Sequence, residues 1–206
     1  HAKYESVSSS WTTSTINSYE RAPTYTSIAV EDNGNVHISY RDETWSELEY
    51  AMFDGSIWAT TVVDSGPEGP QNNTGTSSSI AVNSDGTVHI AYVEDTSLRL
   101  QYSSFDGNSW SYSTIESGGA SQPSLVIDDQ GDVHVSYFVY NNTPDIAVGE
   151  IKYASHDGNN WDTSIIDISP KWDAYTSLAI DSLGDVHISS FKQWNAQTEG
   201  GIIYHK

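Results

Sequence analysis

The sequence of 206 residues has no cysteine, one methionine and only 8 lysines and arginines. Without cysteine it can form neither a disulfide framework nor a thiolate metal site. The 8 basic residues face 28 acidic ones, and the formal net charge is −20. A surface this acidic repels nucleic acid and anionic membranes, so neither is an expected partner. We favour a well-solvated surface over an affinity for cations as the meaning of this charge.

Long hydrophobic runs are also missing, and none approaches the ~20 residues that a bilayer-spanning helix needs. The first residues, "HAKYES", do not have the form of a signal peptide, so we expect any export signal to be absent or already removed. Two sequons are present, Asn72-Asn73-Thr74 and Asn141-Asn142-Thr143. With the missing cysteines and many Ser, Thr and aromatic residues, they favour an extracellular or cell-surface protein.

An internal repeat dominates what is present. Each copy has Ser-[Leu/Ile]-x-[Val/Ile], a short turn ending in Gly, and then Val-His-[Ile/Val]-[Ser/Ala]. The histidines His37, His89, His134 and His187 are 52, 45 and 53 residues apart. The four copies occupy Ser27–Tyr40, Ser79–Tyr92, Ser124–Tyr137 and Ser177–Ser190.

A second motif follows each of the first three copies. It has an apolar residue, any residue and Tyr, then Asp-Gly-x-x-Trp and a run ending in β-branched residues, at Leu48–Val63, Leu100–Ile115 and Ile151–Ile166. Each unit therefore contains four short strands, A to D, separated by Gly, Asp and Asn turns. A period of roughly 45–50 residues with four strands per unit is typical of a propeller blade. We predict an all-β fold, a β-propeller with four blades of four antiparallel strands.

The two ends of the sequence hold incomplete units. Residues 1–16 align with strands C and D, and the last unit matches A, B and C, ending in "GGIIYHK". Pairing the N-terminal strand D with the last unit would close the ring and remove open sheet edges. One strand C is then surplus: it is displaced, it pairs with a neighbouring chain, or the chain is cut from a longer repeat protein. The predicted single domain, 1–206, divides into 1–16, 17–66, 67–118, 119–168 and 169–206.

The repeated histidines are interpreted as structural. Counting back across the A–B turn places each one opposite a small residue: Ala29, Ala81, Val126 or Ala179. A neutral imidazole buried between blades needs hydrogen-bond partners, which Ser and Thr hydroxyls and backbone carbonyls can supply. The alternative is a ring of metal ligands. Strand B lies about 4.8 Å farther from the axis than strand A, too far for opposed imidazoles to reach one ion at about 2 Å.

The Asp-Gly turns are expected to be tight, with Gly at positive φ. The tryptophans that follow them should start the outer strands and fill gaps between blades: Trp58, Trp110 and Trp161, with Trp11 as the N-terminal equivalent. This turn resembles the Asp-box of sialidase-type (BNR-like) propellers, and the resemblance covers essentially the whole chain. It departs from the Asp-box pattern, which has a residue between Asp and Gly and a Ser ahead of Asp. Asp-boxes in those families lie away from the active site, so the resemblance implies the fold and no chemistry.

Catalysis is not expected. By resemblance, sialidases use six blades, an arginine triad and a Tyr/Glu pair. The three arginines here, Arg21, Arg41 and Arg99, fall at different places in the repeat. No Gly-x-Ser-x-Gly, phosphate loop or His-Glu-x-x-His is present. No catalytic residue or metal ligand is predicted, and no cofactor beyond a surface or channel cation such as calcium.

The B–C and D–A loops vary in length and content, which makes their face of the propeller the candidate working surface. Aromatic rings beside Asp, Asn and Arg suit sugars, so we predict a non-catalytic, lectin-like module that binds carbohydrate or a surface glycan. The alternatives are a cell-surface assembly protein that self-associates by strand addition, and a BNR-like glycoside hydrolase or lyase. These rings could also form a protein contact surface or cap the channel. The candidate ligand-binding residues are Arg21, Tyr25, Arg41, Asp42, Trp45, Tyr140, Trp172, Tyr175 and Trp194.

Overall fold

The computed structural model describes residues 1–5, 8–16, 21–66, 74–143, 146–169, 175–193 and 200–206. Seventeen β-strands form the regular structure of these ranges. The strands are β1 (Ala2–Glu5), β2 (Ser10–Thr13), β3 (Thr24–Val30), β4 (Val36–Asp42), β5 (Glu47–Phe53), β6 (Trp58–Asp64), β7 (Thr74–Val82), β8 (Val88–Glu94), β9 (Arg99–Phe105), β10 (Trp110–Glu116), β11 (Ala120–Ile127), β12 (Val133–Thr143), β13 (Ile146–His156), β14 (Trp161–Ser169), β15 (Thr176–Ile180), β16 (Val186–Gln193) and β17 (Gly200–His205).

Three complete four-stranded sheets form the centre of the chain. Each is an antiparallel meander in sequence order, β3–β6, β7–β10 and β11–β14, and we name them blades 1, 2 and 3. A three-stranded sheet, β15–β17, is blade 4, and β1 pairs with β2 in an N-terminal hairpin. The all-β architecture of propeller blades predicted from the repeat is thereby confirmed.

The sequence predicted that the N-terminal strand would complete the last blade, and the described strands do not show this pairing. Within the described ranges β17 pairs only with β16, and β2 pairs with β1 instead of completing blade 4. The hairpin packs on blade 1, where Ile16 joins the cluster around Val36, Ile38 and Tyr40. Ile16 is the repeat equivalent of Val63 and Ile115, which pack against the following blade in the same way. The hairpin therefore acts as the outer half of a unit that precedes blade 1.

The Asp-Gly turns explain why each third strand reverses where it does. In blade 1 the Asp54 carboxylate accepts hydrogen bonds from the amides of Ser56 (2.8 Å) and Ile57 (2.9 Å). Gly55 takes φ 93°, a conformation that disfavours other residues. Asp106 and Asp157 accept the same pair of amide bonds in blades 2 and 3. These backbone bonds lower the pKa of all three carboxyls.

Apolar side chains fill the spaces between blades, outer strands of one blade against inner strands of the next. Between blades 1 and 2 the cluster joins Leu48, Tyr50 and Val63 to Ile80 and Ile90. The same repeat positions form the cluster between blades 2 and 3. Strand alternation produces this arrangement, because every second residue of a strand faces the same neighbour.

The serine that opens each copy of the first motif links neighbouring inner strands. Its hydroxyl accepts a hydrogen bond from a backbone amide of the next blade, which satisfies a sheet edge that would otherwise be unpaired. The bonds are Ile80 N to Ser27 Oγ (3.2 Å), Leu125 N to Ser79 Oγ (3.0 Å) and Leu178 N to Ser124 Oγ (3.1 Å).

The first and last blades expose apolar residues whose equivalents are buried. Ile28 is 54% exposed, whereas Ile80, Leu125 and Leu178 at the same repeat position are buried. Ile202 is 81% exposed. Its equivalents Leu48, Leu100 and Ile151 are also buried. In the described part of the chain, each end thus presents an inter-blade face that no further unit covers.

Candidate functional site

The repeated histidines bond to tyrosines of the neighbouring strand C. The distances from Nδ1 to the hydroxyl oxygen lie between 2.5 and 2.6 Å, and the predicted register opposite Ala29, Ala81, Val126 and Ala179 is present. The partners are therefore Tyr hydroxyls, not the Ser and Thr hydroxyls and backbone carbonyls that we expected. The pairs are His37–Tyr50, His89–Tyr102, His134–Tyr153 and His187–Tyr204.

The second imidazole nitrogen faces the A–B turn. His37 Nε2 lies 2.7 Å from Glu31, and His187 Nε2 lies 2.9 Å from Asp181. The hydrogen bond from His187 and two backbone amides lower the pKa of Asp181 to about 2. His134 Nε2 lies 3.4 Å from Asp128, the distance of an ion pair without a hydrogen bond. Three blades thus build a Tyr–His–carboxylate chain at the same place.

Blade 2 departs from this pattern because Asn83 occupies the carboxylate position. His89 Nε2 is buried and has no hydrogen-bond partner among the described residues. Burial lowers the pKa of His89 to about 4, and the neighbouring His156 lowers it further, against an opposing effect of Asp85. His89 is therefore neutral at pH 7.

The repeat tryptophans begin the outer strands. Trp110 meets Tyr50 of blade 1 edge-on, with ring centroids 5.5 Å apart, and Trp161 meets Tyr102 of blade 2 at 5.1 Å. Trp58 contacts His1 of the hairpin segment at 5.4 Å. Trp11 does not fill a gap between blades as predicted, because its side chain is 67% exposed. Each of the other indoles packs on the preceding unit, and no such unit precedes the hairpin in the described residues.

Trp45 stands out among the predicted ligand-binding residues. It lies in the B–C turn of blade 1, and its indole is 54% exposed. Beside it is a shallow pocket of about 300 Å³ on the face of the sheet directed towards the hairpin. The pocket is lined by Asp42, Trp45, Glu47, Glu49, Thr60, Thr61 and Val62.

The pocket is strongly acidic. Asp42 and Glu47 are cross-strand partners, and Glu49 lies two residues farther along the same face. Burial raises the pKa of Glu47, and the negative charges of Glu49 and Asp42 raise it further. Glu49 accepts a hydrogen bond from the Tyr40 hydroxyl at 2.6 Å.

Asp42 forms the floor of this pocket and is fully buried. Its Oδ1 accepts the amide of Thr44 at 2.6 Å, which fixes the B–C turn. Its Oδ2 has no hydrogen-bond partner within the described ranges. We call the pocket over Asp42, beside Trp45, the Trp45 pocket.

Two other predicted residues lie away from this pocket. Arg41 is buried, because alternation turns it to the opposite face, where it pairs with Glu43 (3.3 Å) and Asp95 (3.2 Å). It is therefore not a free ligand group, which corrects the prediction. Tyr140 is partly buried against the apolar pair Phe138 and Ile151.

The remaining predicted residues are not gathered in one place. Arg21 is exposed in the segment before β3. Tyr25 is exposed on the first strand of blade 1, with φ 52° at a β-bulge, and Tyr175 is exposed just before the first strand of blade 4. Trp172 and Trp194 lie outside the described residues. Among the described members of the predicted set, the structure brings only Asp42 and Trp45 together.

Sequence reasoning missed Glu47, Glu49, Thr60 and Thr61. Glu47 ends the B–C loop that was assigned to the variable face but was not chosen as a binding residue, and Glu49, Thr60 and Thr61 belong to strands that were assigned to the scaffold. A signal was available, because strand C carries Glu47 and Glu49 in blade 1 where blade 2 has Arg99 and Gln101.

Two general findings concern metal binding and membrane-spanning helices. Across the described ranges, no three His, Asp or Glu side chains come together in a way that could hold a metal ion. Nor does any helix there have the length and apolar character to span a membrane.

No family model and no curated protein matches the sequence. Solved structures do match, all at low identity. The Hadza microbial sialidase Hz136 aligns with a TM-score of 0.61 and 12% identity, over 89% of this chain and 44% of that one. A polysaccharide lyase, the PL25 ulvan lyase bound to -[GlcA(1-4)Rha3S]-, aligns at 0.64 and 11%, over 88% and 52%. The α-L-arabinanase of Penicillium chrysogenum, complexed with arabinobiose, aligns at 0.59 and 12%, over 88% and 62%.

These similarities define the fold, which is that of the β-propellers. The chain spans about half the length of the proteins that it matches. At such low identity the likeness concerns the fold alone.

Proposed function

We propose that the protein is an extracellular, non-catalytic carbohydrate-binding module whose principal contact is the Trp45 pocket. One observation carries this proposal: an indole is held exposed beside a pocket with carboxylates and threonine hydroxyls. Aromatic faces stack on the C–H surfaces of sugar rings, and carboxylates and hydroxyls fix the sugar hydroxyls. Similar folds among carbohydrate-active proteins support the proposal.

The positions of the arginines support a binding role over a sialidase-like hydrolase. Arg41 is buried between acids, and Arg99 pairs with Glu94 at 3.3 Å in another blade. Both arginines are therefore engaged with carboxylates of the protein itself, which disfavours a shared role in holding a substrate carboxylate. A turnover assay on polysaccharides checks this part, and product formation would overturn it.

A glycan array followed by titration of Trp45→Ala tests the binding role. We expect a loss of about tenfold or more in affinity, because stacking on an aromatic ring is removed. Trp11→Ala is the matched control, since it deletes an equally exposed indole on the hairpin. Binding to no glycan, or equal losses in the two variants, would contradict the proposal.

Self-association is a second candidate function, favoured by the exposed inter-blade faces. Ile202 at one end and Ile28 at the other are equivalents of residues that pack across the internal blade interfaces. Two chains could therefore associate through these exposed apolar residues. Sedimentation velocity should then show a concentration-dependent dimer that Ile202→Lys abolishes. Leu183→Lys, at an exposed turn position, is the control; a strictly monomeric protein would refute this function.

A further inference from the structure

The repeat itself provides a comparison for the Trp45 pocket. Pairing across strands B and C aligns Asp42 and Glu47 of blade 1 with Glu94 and Arg99 of blade 2. The first pair is two acids, whereas the second is an ion pair with 3.3 Å between Arg99 Nε and Glu94 Oε2.

Blade 3 also carries no net charge at these positions. Glu150 takes the place of Glu47, while Lys152 takes that of Glu49 and forms an ion pair with Glu116. The three aligned positions therefore carry no net charge in blades 2 and 3, and three negative charges in blade 1. Among the described residues, blade 1 therefore lacks at these positions the basic residue that blades 2 and 3 carry there, Arg99 and Lys152.

The buried carboxylate oxygen that lacks a hydrogen-bond partner in the described part of blade 1 is Asp42 Oδ2. Glu94 Oε1 accepts the Thr96 amide at 2.6 Å, as Asp42 Oδ1 accepts the Thr44 amide. Glu94 Oε2 then receives the Ser97 amide, the Ser97 hydroxyl and Arg99 Nε. Asp42 Oδ2 receives none of these among the described residues, although it is equally buried. An unpaired buried carboxylate oxygen is costly, and a cation removes that cost.

We infer that the Trp45 pocket recognises a cationic sugar, a 2-amino-2-deoxyhexose residue whose ammonium group takes the place of the Arg99 guanidinium. This inference rests on the proposed carbohydrate-binding function and names its ligand class. Trp45 replaces Ser97 in the turn, so the residue that satisfies the carboxylate in blade 2 is exchanged in blade 1 for a surface on which a sugar ring can stack. Thr60 is exposed at the edge, on the same face of the sheet as Glu49, where its hydroxyl can meet the ring hydroxyls.

The other features of the site agree with an organic cation. The raised pKa of Glu47, caused by burial and by its acidic neighbours, is what an uncompensated acidic pocket produces. The side chains do not form the arrangement that a metal ion requires. The pocket volume of about 300 Å³ is at the lower end for small-molecule sites, and suits one or two sugar rings.

Isothermal titration at pH 6 with two matched trisaccharides tests the inference. The fully deacetylated glucosamine trimer carries ammonium groups, and the N-acetylated trimer has the same rings without charge. We expect the glucosamine trimer to bind about tenfold more tightly or better. Glu47→Gln should remove most of that preference, whereas Asp129→Asn, an equal change of charge at an exposed turn, should not.

The possible outcomes distinguish the cationic specificity from the carbohydrate-binding function on which it rests. Equal binding of the two trimers would overturn the cationic specificity and leave carbohydrate binding intact. Binding of neither would overturn both. Equal affinity for trilysine, insensitive to Trp45→Ala, would show general attraction to a protein of charge −20 and would also overturn the inference.

Discussion

The neutral state of His89 makes the stability of the fold depend on pH. His89 is buried, its Nδ1 lies 2.5 Å from the Tyr102 hydroxyl, and its Nε2 lacks the carboxylate present in the other blades. Burial therefore lowers its pKa from 6.5 to about 4. Protonation of the folded protein would place a cation where no described acid meets Nε2.

The direction of the pH dependence of stability follows from the number of protons that the folded and the unfolded chain bind. Above pH 6.5 His89 is neutral in both the folded and the unfolded chain, and it adds no pH dependence. Between 6.5 and 4 the unfolded chain binds a proton that the folded chain does not, so the free energy of unfolding falls as the pH falls. A shift of this size corresponds to about 3 kcal/mol, most of which is lost by pH 4.5.

Urea unfolding of the wild type and of His89→Asn at pH 7 and pH 4.5 measures this effect. Asn removes the titrating group and keeps a polar atom near the Tyr102 hydroxyl. Carboxylates titrate in both proteins, so their contribution cancels in the comparison. We expect the wild type to lose about 2–3 kcal/mol more than the variant on acidification. Equal losses would refute the reasoning.

The substitution Asn83→Asp tests why the pKa of His89 is lowered. It places a carboxylate where Asp128 and Asp181 stand in blades 3 and 4, within reach of Nε2. The pKa of His89 should rise, and the extra sensitivity to acid should shrink. Titration of the His89 ring by NMR gives this directly, and a wild-type pKa at or above 6.5 would contradict the account.

Two further predictions concern a contact within blade 3 and a contact between blades. Gly119→Ala should destabilise the fold by about 2–4 kcal/mol, because its φ is +73° and a Cβ would lie 2.4 Å from a backbone carbonyl oxygen; Gly34→Ala, at φ +93° in open space, should cost about 1 kcal/mol in the same urea assay. Ser79→Ala removes the acceptor for the Leu125 amide and should cost about 1 kcal/mol, whereas Ser177→Ala, at the exposed equivalent in blade 4, should be nearly neutral. Equal effects within either pair would contradict these assignments.

The local features of the fold could be predicted from the sequence because they are encoded locally. Alternation, turn residues and the period of the repeat fix four strands per unit and the register of His89 opposite Ala81. The partner of His89 was missed for a specific reason. Tyr102 lies on the next strand, and its position relative to His89 depends on the register across the B–C loop, a connection whose length differs between units.

Closure of the ring could not be predicted in the same way. It depends on whether β2 pairs with the adjacent β1 or with the distant β17, and short-range pairing needs less ordering of the intervening chain. Asp42 and Trp45 of the Trp45 pocket were predicted, whereas Glu47, at the end of the same loop, was not singled out. Only its charge, opposite to that of Arg99, distinguishes it.

The incomplete unit at the N terminus and the Trp45 pocket are connected. The pocket lies on the face of blade 1 that carries Tyr40 and Ala51, and that face is directed towards the hairpin. In blades 2 and 3 the same face packs against a complete preceding blade. The hairpin has two strands and leaves part of the blade 1 face open. Blade 1 alone therefore combines an uncovered face, an exposed indole and an acidic pair without an internal cation. A chain with four units of one repeat should consequently bind one ligand in this mode, and a measured stoichiometry of three or four would mean that the repeat positions, not this exceptional blade, form the site.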